Sequence, residues 1–183
     1  MIRIVSSISI SIILVFSLFA CGKSGTSADK TIRVGAETTF PPFEFKEGSE
    51  YTGFDIELIR AIGKQIGLNV TIESMGFDGL IPALQAGNID AIISAVTITD
   101  ERKGKVDFSD PYYNSGLAIV VSKDNTGIKS FKDLEGKKLA VQIGTTSATE
   151  AKKIKNAVVR EFNSTSDAYL ELKAGGADAV VND

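Results

Sequence analysis

The chain has 183 residues, of which 43% are hydrophobic and 23% are charged, so it is long enough and apolar enough to fold around a core. Twenty Lys and Arg against 23 Asp and Glu give a net charge of −3 without a basic block, and we therefore expect no nucleic-acid partner. Since the sequence has no His and one Cys, it excludes His-dependent catalysis, an internal disulfide and Cys or His metal clusters, so we expect no metal and no cofactor.

The first 20 residues differ in composition from the rest of the chain. Arg3 is their single charge, and the apolar run from Ile4 to Phe19 is shorter than the about 20 residues that a membrane-spanning helix needs. We therefore predict a secretory signal peptide over residues 1–20. Leu18-Phe19-Ala20-Cys21 resembles a bacterial lipobox, which implies that Cys21 is lipidated and begins the mature protein; the alternative is an uncleaved anchor. Residues 21–30 are rich in Gly, Ser and Thr, a composition typical of a flexible tether.

The next part of the chain alternates between strand and helix patterns. Leu58, Ile59, Ile62 and Ile66 share one helical face, which predicts an amphipathic helix that ends at Gly67. The predicted elements are, in chain order, a strand over 31–35, a helix over 54–66, a strand over 69–73, a helix that begins at Asp78 and stops at Gly87, and an apolar strand over 91–96. This β-α-β-α-β order predicts a wound α/β sheet.

A second set of elements follows residues 107–115, a segment that contains Pro111 and several aromatic side chains. Ser147 and Glu150 have the spacing of a capping box, which predicts the start of a helix. The predicted strands cover 117–121, 138–141, 157–162 and 177–181, and the predicted helices cover 147–155 and 165–174. We therefore predict an α/β fold with two lobes, over residues 31–116 and 117–183.

Polar and aromatic residues gather where the predicted strands end. Because open α/β sheets bind ligands beyond the carboxyl ends of their strands, these residues are candidates for one binding site, and their chemistry suits a small zwitterion. Each has an ordinary alternative: Glu37 could be a solvated loop acid, Phe40 and Phe77 could be core residues, and Arg102 could pair with Asp107 on the surface. The candidates are Glu37, Phe40, Phe77, Ser94, Ala95, Thr97, Arg102, Gln142, Thr145, Thr146 and Asp183.

Seven motifs occur in order between residue 40 and the last residue. They are Phe40-Pro-Pro-Phe-Glu-Phe45, Gly53-Phe-Asp55, Gly79-Leu-Ile-Pro-Ala-Leu84, Thr97-Ile-Thr-Asp-Glu-Arg-Lys103, Asp107-Phe-Ser-Asp-Pro-Tyr112, Gly144-Thr-Thr146 and Asp178-Ala-Val-Val-Asn-Asp183. Together they resemble the polar amino-acid-binding proteins of bacterial ABC importers, which are extracellular solute-binding proteins of family 3. The resemblance implies a periplasmic-binding-protein type II fold, in which two wound α/β lobes joined by a hinge close on one amino acid.

The resemblance also implies which residues hold the two end groups of the amino acid. Arg102 should bind the ligand carboxylate, for which its planar guanidinium offers two hydrogen bonds. Thr97 and the backbone around Ser94 and Ala95 should share the carboxylate and the ammonium. Asp183 should accept from the α-ammonium.

Further roles follow from the same resemblance. Thr145 and Thr146, at a helix N-terminus, should donate to the carboxylate from the second lobe. Phe40 and Phe77 should lie on either side of the ligand side chain, and Glu37 should meet its polar tip. These roles would let one ligand bridge both lobes and favour the closed state.

Gln142 departs from the glutamine-binding members of the family, in which a Lys at this position neutralises an acid near Glu37. Here Glu37 and Asp183 face Arg102 alone, so a ligand with a cationic side chain would balance the charge. An unpaired Glu37 would cost roughly 3–5 kcal/mol. We therefore expect L-arginine or L-lysine as the ligand, with L-glutamine next.

The resemblance implies a role without catalysis: a monomeric, lipid-anchored, extracytoplasmic receptor that passes a free amino acid to an ABC permease. Because the family continues beyond the position of Asp183, we expect a piece of a longer protein whose second lobe is incomplete. Two alternatives stay open at this point. One is an enzyme similar to cyclohexadienyl dehydratase, for which Glu37 is the candidate general acid, and the other is the ligand-sensing domain of a receptor.

Overall fold

The computed structural model describes residues 30–183, so the predicted signal peptide, the lipidation of Cys21 and nearly all of the predicted tether lie outside the described residues. Within the described part, no helix is both long and apolar enough to cross a membrane. The elements in chain order are β1 (Thr31–Ala36), β2 (Thr39–Phe40), β3 (Glu44–Glu47), β4 (Glu50–Thr52), α1 (Phe54–Ile66), β5 (Asn69–Ser74), α2 (Leu80–Gln85), β6 (Ala91–Ile92), α3 (Asp100–Lys103), β7 (Ala118–Val120), β8 (Lys138–Gln142), α4 (Thr146–Ala151), β9 (Val158–Phe162), α5 (Thr165–Lys173) and β10 (Ala179–Asn182).

The first sheet has the order β5-β1-β6, and all of its strands are parallel. Val34 and Ala36 of the central strand are fully buried, as expected for a strand with neighbours on both sides. β6 is shorter than the predicted strand over 91–96. The backbone leaves the ladder after Ile93, and Ala95 has a φ of 46°, which a regular strand does not contain. This departure turns the chain outward at the carboxyl end of the sheet.

Helix α1 has the predicted bounds and ends at Gly67, but it does not bury the predicted face. Ile62 and Ile66 are 43% and 59% exposed, whereas Ile56 and Gly63 are buried. A Cβ atom at Gly63 would lie 2.5 Å from the Cγ2 atom of Val70 on β5. The helix therefore approaches β5 closely at the glycine, whereas Leu58 and Ile59 of the predicted face are only half-buried.

Two helix starts also differ from the predictions. Phe77–Gly79 forms a 3-10 turn before α2, without a capping hydrogen bond from a side chain, so Asp78 is not an N-cap. Helix α4 is capped by Thr145, whose hydroxyl accepts from the N–H of Ala148, rather than by Ser147. Gly144, with a φ of 77°, turns the chain so that Thr145 is the last extended residue before the helix.

The second sheet has the order β7-β10-β8-β9, with β7 antiparallel to β10 and the other neighbours parallel. Successive side chains of its strands point to opposite faces of the sheet and therefore lie in two apolar layers. One layer contains Leu139, Val141, Ala148, Ala151, Ala179 and Val181, and the other contains Ala140, Ala168, Leu172 and Val180. Because α4 lies in the first layer and α5 in the second, helices cover both faces. The α/β fold class is confirmed, and the lobe boundary after residue 116 stays a prediction.

A third, small antiparallel sheet of order β2-β3-β4 joins β1 to α1, in a region where the sequence patterns predicted no element. Phe43, directly before β3, and Phe45 flank Glu44. Glu44 is buried although Lys46 and Glu47, further along β3, are exposed. The small sheet therefore carries one acid into the interior beside the carboxyl end of the first sheet.

Candidate functional site

The carboxyl ends of the two large sheets meet, and hydrogen bonds connect them. The Thr97 hydroxyl, beyond β6, donates to Oδ2 of Asp183, directly after β10, over 3.0 Å. Nη2 of Arg102 donates to the carbonyl of Gly144 over 2.9 Å. The sequence prediction placed Thr97, Arg102 and Asp183 at one site, and these contacts bring them together.

Arg102 lies in the short helix α3, whose N-cap Thr99 accepts from the N–H of Arg102. The arginine is 8% exposed, its Nη1 donates to the carbonyl of Thr97 over 2.8 Å, and its guanidinium carbon lies 5.4 Å from the centre of the Phe77 ring. Burial lowers the pKa of Arg102, and the charge of Asp183 opposes this shift. The alternative of a surface pair with Asp107 is therefore wrong.

Asp183 has one satisfied and one unsatisfied carboxylate oxygen. Its Oδ2 accepts from the hydroxyls of Thr97 and Thr146, which belong to the segments after β6 and β8. Its Oδ1 is buried and has no hydrogen-bond partner among residues 30–183. A buried carboxylate oxygen without a donor is costly, so this atom is suited to accept from a cationic group of a ligand.

Two neighbouring cavities contain most of the candidate residues. The first has a volume of 380 Å³ and is lined by loops that follow both large sheets and by the segment that contains Tyr112 and Tyr113. The candidate residues on its wall are Phe40, Ala95, Thr97, Thr146 and Asp183. The second, of 580 Å³, has Phe77, Arg102, Thr145 and Thr146 on its wall. Thr146 lines both, so the cavities adjoin, but Phe40 and Phe77 do not face each other across one cavity.

Glu37 is buried beside the first cavity without being one of its lining residues. The Thr39 hydroxyl donates to Oε1 of Glu37, and the N–H of Glu37 donates to the Ser94 hydroxyl over 3.0 Å. The alternative of a solvated loop acid is therefore wrong. The structure brings Glu37 to Ser94, at the end of the same sheet.

The side chains of Gln142 and Thr145 form hydrogen bonds within the half of the molecule that carries the second sheet. The Gln142 amide donates to the carbonyl of Asn163 over 3.1 Å and accepts from the Thr165 hydroxyl over 2.9 Å, which ties β8 to the start of α5. The Thr145 hydroxyl donates to the carbonyl of Gln142 over 2.7 Å and caps α4. Of the two threonines, it is Thr146 whose hydroxyl reaches Asp183.

Two buried acids near the site were missed by the sequence reasoning, although both lie in motifs that it quoted. The Ser94 hydroxyl donates to Oε1 of Glu44 over 2.6 Å, and the N–H of Ala95 donates to Oδ2 of Asp55 over 2.7 Å. Glu44 is flanked by aromatic residues in its motif, which is a signal for a buried acid. Asp55 lies in the first turn of α1, where an acid is usual, so its sequence position gave no signal.

Burial raises the pKa of Glu44 from 4.5 to about 9, opposed by the hydrogen bond from Ser94 and reinforced by the charges of Asp55 and Glu37. Burial also raises the pKa of Asp55, against the hydrogen bonds from Ala95 and from the hydroxyl of Tyr112. Burial of both acids therefore disfavours the state in which both are ionised.

Known proteins resemble this chain over most of its length. The sequence pattern of the bacterial extracellular solute-binding proteins, family 3, matches residues 32–172. A probable histidine-binding protein of Campylobacter jejuni is 45% identical over 153 residues, which cover 84% of this chain and 60% of the relative. A solved ancestral arginine-binding protein bound to arginine is 53% identical, with a TM-score of 0.82 over 84% of this chain and 70% of that one. Another, bound to glutamine, is 52% identical, with a TM-score of 0.79 over 84% and 69%.

Proposed function

Because this chain belongs to the bacterial extracellular solute-binding proteins of family 3, we propose that it captures a free polar L-amino acid and delivers it to the permease of an ABC importer. The observation that carries the proposal is the pair of opposite charges at the meeting point of the two large sheets. The buried guanidinium of Arg102 and the unpartnered Oδ1 of Asp183 match the carboxylate and the α-ammonium of an amino acid.

The ligand that we propose has a cationic side chain, with L-arginine or L-lysine preferred to L-glutamine. Glu37 is buried beside Ser94, and no ion pair within residues 30–183 includes it, so a ligand cation that reached it would be its counter-ion. Phe40, on the wall of the first cavity, offers an aromatic face that suits a guanidinium. The arginine bound to one ancestral relative supports this preference, whereas the histidine-binding relative and the glutamine complex define the competitors to test.

The proposed mechanism is closure of the two lobes around the ligand. Thr97 follows β6, Arg102 lies in α3 and Thr146 begins α4. An amino acid that contacts all three stabilises the arrangement in which they are close. Lipidation at Cys21 would hold the receptor at the outer face of the cytoplasmic membrane, near its permease. The receptor that we propose is a monomer.

Calorimetric titration of the purified protein with L-arginine, L-lysine, L-glutamine and L-histidine tests this function. We expect micromolar or tighter binding of L-arginine or L-lysine. Glu37→Gln should weaken that binding by about two orders of magnitude, because the ligand cation loses its partner in a buried site. Glu47→Gln, the same change at an exposed position of β3, is the matched control and should have no effect.

Each result of the titration decides a different part of the proposal. Tight binding of glutamine or histidine without arginine or lysine binding would contradict the charge argument and retain the amino-acid receptor. Failure of all four amino acids to bind would contradict the receptor itself. The relatives named above are binding proteins, which supports a role without catalysis. If the protein converts a cyclic amino-acid precursor and Glu37→Gln abolishes this activity, the dehydratase-like alternative is correct instead.

A further inference from the structure

Glu44 and Asp55 accept hydrogen bonds from Ser94 and Ala95 of the segment 94–97, three of whose residues, Ala95, Val96 and Thr97, line the first cavity. Glu44 is 1% exposed and Asp55 is fully buried, and the proposed amino-acid binding gives neither of them a role. Neither carboxyl group forms an ion pair with a Lys or Arg within residues 30–183. Two acids buried together without a cation need another source of stabilisation.

The hydrogen bonds of the pair leave one oxygen of each carboxyl group unpartnered. Oε1 of Glu44 accepts from the Ser94 hydroxyl, and Oδ2 of Asp55 accepts from the Ala95 N–H and, over 2.9 Å, from the Tyr112 hydroxyl. Oε2 of Glu44 and Oδ1 of Asp55 are buried and have no donor among residues 30–183. The N–H of Asp55 donates to the carbonyl of Phe43, directly before Glu44, and the two carboxyl groups accept from the consecutive residues Ala95 and Ser94. The two acids are therefore neighbours, and one proton between them would satisfy both.

We propose that Glu44 and Asp55 share one proton, and that this acid–carboxylate pair positions the ligand-contacting backbone at Ser94 and Ala95. The positioning role rests on the proposed amino-acid binding, whereas the shared proton does not. Glu44, as the acid, donates to Asp55, which keeps the negative charge and accepts from Ala95. The acid also orients the Ser94 hydroxyl, which in turn accepts from the N–H of Glu37.

The conformation of Ala95 shows why its N–H needs a strong acceptor. Its φ of 46° lies in the left-handed region that residues other than glycine rarely adopt. A hydrogen bond to an ionised carboxylate is stronger than one to a neutral acceptor, so the charge on Asp55 holds this conformation. The geometry in turn places Ala95 and Thr97 at the cavity wall.

The titratable groups around the pair agree with this protonation state. Glu37 faces it from the end of β1, and its negative charge raises the pKa of Glu44. Tyr112 faces it from the segment before β7, and burial raises the pKa of its hydroxyl, so the group remains a donor to Asp55. Above the pKa of Glu44 the site would hold adjacent buried negative charges, which must separate or take up water. Ligand affinity should therefore fall as pH rises through about 9.

The first test follows the pair without a ligand. In the purified protein, ¹³C NMR of labelled Glu carboxyl groups should reveal one neutral glutamate at pH 7 that titrates near pH 9 and is missing from Glu44→Gln. The amide resonance of Ala95 should shift at the same midpoint in the wild type and stay constant in the variant. If all glutamates ionise in their ordinary range, the shared proton is wrong. If the glutamate titrates and Ala95 does not respond, the positioning role is wrong.

The second test measures the affinity for L-arginine by calorimetry between pH 7 and pH 10. The ligand's own ammonium titrates in this range, so the comparison among proteins is the decisive quantity. Wild type and Glu47→Gln should lose about tenfold more affinity than Glu44→Gln, because one additional proton is released in them. Parallel pH curves for all three would contradict the positioning role. If no protein binds any amino acid, the proposed receptor function fails, while the NMR titration still decides the pair.

Discussion

Arg102 is a buried cation whose hydrogen bonds all go to neutral groups. Its guanidinium donates to the carbonyls of Thr97 and Gly144, and no ion pair within residues 30–183 includes it. Asp183 is near but forms no ion pair with Arg102, and a buried charge without a direct partner is costly, so a ligand carboxylate would offset this cost. The planar guanidinium can keep one carbonyl and still present a second edge to a carboxylate, which an ammonium cannot do.

We expect Arg102→Lys to weaken amino-acid binding by about tenfold or more, because lysine has one nitrogen for two carbonyls and a carboxylate. Calorimetric titration with L-arginine measures the effect, and urea unfolding shows whether the fold is retained. Arg60→Lys is the control, since Arg60 is exposed and its recorded side-chain hydrogen bond goes to the carbonyl of Tyr51. Unchanged affinity in Arg102→Lys would contradict the assigned carboxylate contact.

At the scale of elements, α1 packs against the first sheet through Ile56 and through a glycine, Gly63. The Cβ position of Gly63 lies 2.5 Å from a methyl group of Val70 and 3.0 Å from the carbonyl oxygen of Leu68. No side chain fits between the helix and β5 at this point. Ile62 and Ile66 are exposed, although their spacing is that of a buried face.

Gly63→Ala should therefore destabilise the protein by about 1–3 kcal/mol, because the added methyl group forces the helix away from the sheet. In an unconstrained helix the same change would stabilise by up to about 1 kcal/mol, so the sign of the effect reports the contact. Urea unfolding at neutral pH measures it.

The control for this prediction is a double-mutant cycle with Val70→Ala. Removing the valine methyl groups makes room for the methyl group that Gly63→Ala adds, so the double variant should lose less stability than the sum of the single variants. Additive losses would mean that Val70 is not the cause of the strain.

At the scale of the whole molecule, the halves that carry the two large sheets approach each other at backbone distance. A Cβ atom at Gly144, after β8, would lie 2.9 Å from Cβ and 3.1 Å from Cα of Asp78, in the 3-10 turn after β5. The carbonyl of Gly144 accepts from Arg102 at the same place. Gly144 therefore permits the close arrangement in which residues from both sheets can contact one ligand.

We expect Gly144→Ala to weaken amino-acid binding by about tenfold or more while the protein remains folded, because the methyl group prevents the close approach to Asp78. Gly175→Ala is a matched control. Both glycines have a φ of 77°, so both variants are strained, but the Cβ position of Gly175 has nothing within 4 Å. Calorimetry measures the affinity for L-arginine, and small-angle X-ray scattering with and without L-arginine measures the compactness of the protein. Equal effects of Gly144→Ala and Gly175→Ala would contradict the steric role of Gly144.

The sequence alone determined the alternation of strands and helices, the α/β class and most of the candidate site. Strand ends in a wound sheet converge for a topological reason, so Thr97, Arg102, Thr146 and Asp183 could be placed together from their positions along the chain. Apolar periodicity also predicted the bounds of α1 and, to within two residues, those of β1 and β9.

Only the tertiary structure decided where each side chain is used. Gln142 and Thr145 are polar residues near the end of a strand, as ligand contacts would be. Their hydrogen-bonding groups are nevertheless satisfied by Asn163, Thr165 and the start of α4. Glu44 belongs to a strand of four residues whose burial depends on a small sheet that no periodic pattern predicts. Local patterns report which face an isolated element would bury, whereas the partner of each polar group depends on contacts between residues that are distant in the chain.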